Sequence, residues 1–102
     1  MYDMKDLRKL PALGAKASAA WDTFKAFDEA ALADGAIPKK YKELMAIAVA
    51  LTTQCPYCLE IHKAAAFGAG ATEEELAEAT FVAAALRSGG AITHGTQLIA
   101  GD

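Results

Sequence analysis

Several features that would settle a function early are missing from this 102-residue chain. It has no long apolar run: the longest, Leu44–Leu51, falls far short of the roughly 20 residues a membrane-spanning helix needs. It has no basic cluster, and its formal net charge is −3, so a phosphate backbone is not an expected partner. Eight glycines and three prolines are too few for a disordered or collagen-like chain, and aromatics are 8% of residues. The stretch Met1–Lys9 is charged and lacks the apolar centre of a secretory signal. These absences together predict a soluble cytoplasmic protein that binds neither nucleic acid nor membrane. Only two cysteines occur, Cys55 and Cys58. A bridge so short in sequence would constrain little of the unfolded chain, so a purely structural staple is a poor explanation for them. In a reducing compartment such a pair points to redox chemistry or metal binding.

What is present is hydrophobic, 54% of residues, and roughly a quarter of the chain is alanine. Alanine is the best helix former but buries little area. The length suits a single domain over residues 1–102, with burial modest enough that association with further copies would add stability. Helical spacing of Ala20, Phe24, Phe27 and Ala31 predicts a helix over 15–33, with Trp21, Phe24 and Phe27 in a core. The segment from Tyr2 to Leu13 reads as a charged lead-in, interrupted by Pro11 and Gly14. Gly35 suits a left-handed C-terminal stop and Pro38 a first helical position. A helix over 39–53 follows, and Pro56 forces a new one, running to Phe67, with Cys55 at its N-cap and Cys58 at its third position. Thr72 and Glu75 have capping-box spacing, which makes Glu73, Glu74 and Glu75 a helix start, not a metal site. That helix, apolar on nearly every side from Ala79 to Leu86, is expected to be buried and to break at Gly89-Gly90 before a last helix over 91–100. The fold class is all-α, with five to six helices.

The chemistry concentrates in Cys55-Pro56-Tyr57-Cys58-Leu59-Glu60-Ile61-His62. Thiol reactions run through the thiolate, and a helix start favours negative sulfur. Two intervening residues let the sulfurs meet across one turn. His62 is four residues after Cys58, on the same face, and can take a thiol proton. Glu43 is an ordinary surface partner for Lys39 unless the apolar run beginning at Leu44 carries it inside, where a carboxylate can act as a base. On one straight helix Glu43 and Cys55 would sit about 120° apart, so they meet only because Pro56 breaks the chain's course. Tyr57 is either a pocket wall or an exposed residue at a helix start. His94, among glycines, is a packing residue or a pocket residue.

With Glu43, an apolar helix, Cys55-x-x-Cys58 and His62 in this order, the chain resembles the AhpD-like alkylhydroperoxidases of the carboxymuconolactone decarboxylase family. Gly68 through Leu76 and Leu86 through Ala91 are similar to the segments that follow in that family, so the resemblance covers roughly residues 38–95. It implies an AhpD-like helical bundle, assembled as a trimer or hexamer, that needs no cofactor. It implies an oxidoreductase that reduces a hydroperoxide and is itself reduced by a dithiol, from a lipoyl group or a thioredoxin-like protein. Cys58 would attack peroxide, Cys55 would resolve the sulfenic acid, and Glu43 and His62 would relay protons. The family's alkylhydroperoxidase carries a second histidine where this chain has Tyr57. The decarboxylase branch generally lacks the cysteine pair, which argues against lactone decarboxylation. Two other functions fit the residues: a thiol–disulfide oxidoreductase acting on a protein or lipoyl disulfide, and a helical assembly or zinc-binding module.

Overall fold

The computed structural model describes residues 3–102. Tyr2, where the lead-in begins, lies with Met1 outside the described residues. A 3₁₀ turn over Met4–Lys9 opens the chain, its first turn closed by Asp3, whose carboxylate accepts the Lys5 N–H at 2.9 Å. Five α-helices follow: α1 (Leu10–Lys16), α2 (Ser18–Leu32), α3 (Lys39–Thr53), α4 (Pro56–Gly68) and α5 (Glu73–His94). A 3₁₀ turn over Gly95–Leu98 ends the sequence of elements, and no strand occurs among the described residues. The fold is therefore all-helical.

α3 is the central element and packs against both α4 and α5. Its apolar contribution to the interior is Ile47 and Ala50, and Ala66 of α4, Ala71 before α5 and Ala83 of α5 are buried as well. These small side chains let the helix axes approach, at the expense of buried area. α1 and α2 pack on each other, and of the two only α2 meets α3, sparingly. Gly14 permits that first contact: a Cβ there would stand 2.4 Å from the Trp21 ring.

The connections explain the helix ends. α3 stops at Gln54, which takes the left-handed conformation (φ 57°, ψ 47°) at a cost of about 1–2 kcal/mol for a non-glycine residue. The N–H groups of Gln54 and Cys55 both return to the Ala50 carbonyl, Cys55 at 3.1 Å. Pro56 then occupies the first turn of α4, with Cys55 as its N-cap, as its sequence position predicts. Gly70 (φ 93°) turns the chain out of α4. Thr72 and Glu75 form a reciprocal capping box on α5, the carboxylate accepting the Thr72 N–H at 2.9 Å and the hydroxyl accepting the Glu75 N–H at 3.1 Å.

Several expectations fail here for identifiable reasons. The lead-in is helical from Leu10, since Pro11 lies in the first turn of α1, where its missing N–H costs nothing. Asp34-Gly35 does not close α2 by a left-handed glycine. The chain instead leaves α2 extended at Ala33, and the Asp34 carboxylate reaches forward to accept the Lys39 N–H at 2.6 Å, so it caps α3. Pro38 is the N-cap of α3 and not its first residue. Gly89-Gly90 does not break α5, which continues to His94: glycine costs a helix about 1 kcal/mol but does not forbid it. Phe24 and Phe27 are 55% and 71% exposed, and Trp21 is only half-buried. In the stretch Ala79–Leu86 only Ala83 is buried, while Phe81 and Leu86 face outward. One side of each helix finds a partner within the chain and the others do not. The radius of gyration, 17.3 Å, is well above the roughly 13 Å of a compact domain of this length.

Candidate active site

The left-handed Gln54 turn delivers Cys55 to the positive end of α4. There its sulfur accepts the Cys58 N–H at 3.2 Å. The two half-buried sulfurs are 2.7 Å apart, and both cysteines are free. Closing a disulfide, with its bond of about 2.05 Å, needs less than an ångström of movement. The environment splits the two thiols. The Cys58 thiol beside Cys55 is what most lowers the Cys55 pKa, and backbone N–H groups of the first turn add to this. Cys58 is pushed up to about 11, first by that same interaction with Cys55 and then by burial. Cys55 is thus the acidic sulfur and Cys58 holds its proton.

Glu43, in the second turn of α3, is 2% exposed and is the one buried charged residue among the described residues. Its Oε2 meets His62 Nδ1 at 2.7 Å, and its Oε1 receives Lys39 Nζ at 3.2 Å. With the carboxylate ionised, Nδ1 carries the proton and donates it, which leaves the Nε2 lone pair as the base. Lys39 also donates to the Leu32 carbonyl at 3.3 Å, so it ties the end of α2 to this pair. No buried side-chain nitrogen or oxygen among the described residues lacks a partner.

The structure therefore assembles two pairs, Cys55 with Cys58 and Glu43 with His62, joined through the single α4 turn between Cys58 and His62. No hydrogen bond links Cys58 to His62 among the described residues. Tyr57 walls a cavity of about 290 Å³, with Leu7, Leu10 and Ile61, and its hydroxyl donates to Asp6 at 3.2 Å. Lys9 lies 3.2 Å from Asp6 and holds that carboxyl below its usual range. A larger cavity, about 520 Å³, opens in front of Glu43 and His62. His94 joins none of these groups; it sits exposed in the last turn of α5 with Nδ1 on the Gly90 carbonyl at 2.8 Å. Sequence spacing exposes Lys39 as a neighbour of Glu43 but not its descent onto a buried carboxylate. Nothing in the local sequence links Asp6 to Tyr57, fifty-one residues apart. Among the described residues of the chain, no three histidine, cysteine or acidic side chains converge as metal ligands.

Residues 18–100 match the carboxymuconolactone decarboxylase family. The chain belongs to that family. It carries, in addition, the Cys-x-x-Cys pair described above. It is 46% identical over 79 residues to an uncharacterised protein of the cox locus of Paracoccus denitrificans, covering 78% of this chain and 71% of that one. An uncharacterised protein of Cupriavidus necator is 39% identical over 71 residues, 70% of this chain and 63% of the relative. Among solved structures, the apo form of a carboxymuconolactone decarboxylase family protein from Legionella pneumophila superposes with a TM-score of 0.72 at 37% identity, covering 81% of this chain and 75% of that one. A protein from Methanobacterium thermoautotrophicum superposes with a TM-score of 0.79 at 32% identity, covering 84% of this chain and 97% of that one. Family members thus share this helical arrangement at substantial identity. No helix among the described residues is long and apolar enough to cross a membrane.

Proposed function

We propose that the protein is a thiol-dependent peroxidase that reduces an organic hydroperoxide and is regenerated by a dithiol. The observation that carries this reading is the placement of two touching sulfurs at a helix N-cap one turn from a buried, ion-paired Glu43–His62 dyad. Cys58, protonated at neutral pH, needs a base, and His62, four residues on, is its neighbour on the helix face. In the first step Cys58 sulfur attacks the terminal peroxide oxygen, the O–O bond breaks, and ROOH becomes ROH while the thiol becomes a sulfenic acid. Cys55, already the acidic sulfur, then displaces water from that sulfenic acid to give the disulfide. An external dithiol, from a lipoyl group or a thioredoxin-like protein, reduces the disulfide by exchange. Such an enzyme would act in the cytoplasm as a homo-oligomer, a trimer or hexamer. Its exposed apolar faces and extended shape support assembly.

The acidity of Cys55 favours a second reading of the same site. A half-buried N-cap sulfur of lowered pKa is also the arrangement of a thiol–disulfide oxidoreductase, whose substrate is a disulfide. One experiment separates the two: consumption of cumene hydroperoxide with dihydrolipoamide, by the wild type, Cys58→Ser and Cys55→Ser. Turnover by the wild type, none by Cys58→Ser, and a dimedone-trapped sulfenic acid on Cys58 in Cys55→Ser are expected. A sulfenic acid formed on Cys55 in Cys58→Ser would reverse the order of attack. Disulfide exchange without peroxide turnover would assign the second reading.

A further inference from the structure

The cavity in front of Glu43 and His62 has an unusual charge. Asp28 and Glu29 of α2, Asp34 in the turn beyond it, and Glu43 at the floor all face it, and Lys39 is its only lining ammonium. Four carboxylates against one ammonium, with His62 neutral, leave −3, which is the formal net charge of the whole chain. Elsewhere acids and bases cancel. The Lys39 ammonium is already engaged by Glu43 and the Leu32 carbonyl, and nearby Lys42 donates to the Ala33 carbonyl at 2.7 Å. Asp34 is occupied as the cap of α3, but no ion pair neutralises Asp28 or Glu29 among the described residues. Charge of one sign around a cleft with apolar walls focuses its field on whatever enters. That field reaches the cysteines: Asp28 is among the charges that disfavour the Cys58 anion.

We propose that this rim is a charge filter, so that the cavity admits uncharged or cationic organic substrates to the dyad and turns away those carrying a carboxylate or phosphate. Resting on the peroxidase reading, it assigns as substrate class the neutral organic hydroperoxides, their apolar body lying against Leu32, Ile61 and Ala65. The filter is a property of the cavity; Cys58 does not line it, but Asp28 of the rim acts on that thiol, so the same field bears on charged reagents that reach Cys58.

The test uses a reagent pair alike in size and different in charge. In full-length Cys55→Ser, which retains one thiol, alkylation of Cys58 is followed with iodoacetamide and with iodoacetate, each rate normalised to 2-mercaptoethanol. At low salt the neutral reagent is expected to be favoured about tenfold, falling to about twofold near 0.5 M salt as the field is screened. Adding Asp28→Asn and Glu29→Gln, both on exposed positions of α2, should reduce the low-salt preference to about threefold or less. Equal normalised rates in the parent, or a preference that the double substitution leaves unchanged, would overturn the filter. A fatty-acid hydroperoxide and its methyl ester then extend the comparison to turnover, with the ester preferred by the wild type and the preference narrowed by the double substitution. If neither peroxide is consumed while the alkylation preference holds, the peroxidase reading fails and the filter stands.

Discussion

Two regions of this molecule differ in how completely one chain satisfies them. Around the junction of α3 and α4, every polar requirement is met internally: Cys55 accepts the N–H of Cys58, Glu43 is held by Lys39 and His62, and the Ala50 carbonyl closes the turn. Along α2 and α5, Phe24, Phe27, Phe81 and Leu86 are all more than half exposed, although Phe24 keeps a tilted contact with the Trp21 ring. An unmade hydrogen bond in the interior costs on the order of 1–3 kcal/mol and must be repaired locally, because it is directional and short-ranged. Apolar area is satisfied by any complementary surface, including a second copy. The polar contacts of the candidate site are therefore complete within one chain, whereas its apolar packing is not.

The largest effect expected from breaking this division comes from α5. Phe81→Asp combined with Leu86→Asp places two charges on the exposed apolar face. If that face covers another copy, light scattering should show dissociation to monomer with a marked fall in melting temperature. An unchanged mass and melting temperature would mean the face stays wet. Next in size is Glu43→Gln, which keeps the shape but removes the charge from the dyad. Hydroperoxide turnover near neutral pH is expected to fall about 10²-fold, the usual range for a lost proton-transfer group. Recovery at a pH high enough to ionise Cys58 unaided should accompany it, and a loss equal at every pH would make Glu43 merely structural. The smallest effect is a shift of titration. Cys58→Ala removes the thiol that most favours the Cys55 anion, so the pH profile of Cys55 alkylation should move upward toward the ordinary thiol range. Cys55→Ala should move Cys58 down from about 11, because its leading cause has gone. A Cys55 profile that stays in place would assign its acidity to the helix terminus alone.

Much of the site could be read along the sequence because its parts are local. Cys55, Pro56 and Cys58 lie within one turn, and His62 follows a turn later; helical periodicity and the conformational limits of proline are enough to place them. The ends of α3 and α4 and the capping box of α5 were legible for the same reason. Glu43 was not. Its spacing from Cys55 opposes contact on a straight helix, and the left-handed turn at Gln54, carried by a non-glycine residue, leaves no compositional mark. Gly35 and Gly89-Gly90 misled in the opposite direction, because glycine permits a break without requiring one and Asp34 was free to cap forward.

The sequence alone determined the helical class, the position of the two thiols at a helix start and the histidine one turn on. These follow from interactions between residues no more than a few positions apart. Only the tertiary structure decided that Glu43 lies buried against His62 and that Asp28 and Glu29 crowd the same cavity. It also decided which apolar faces remain uncovered. Each of these depends on how α2, α3, α4 and α5 cross, and crossing is set by small side chains packing at long sequence separation.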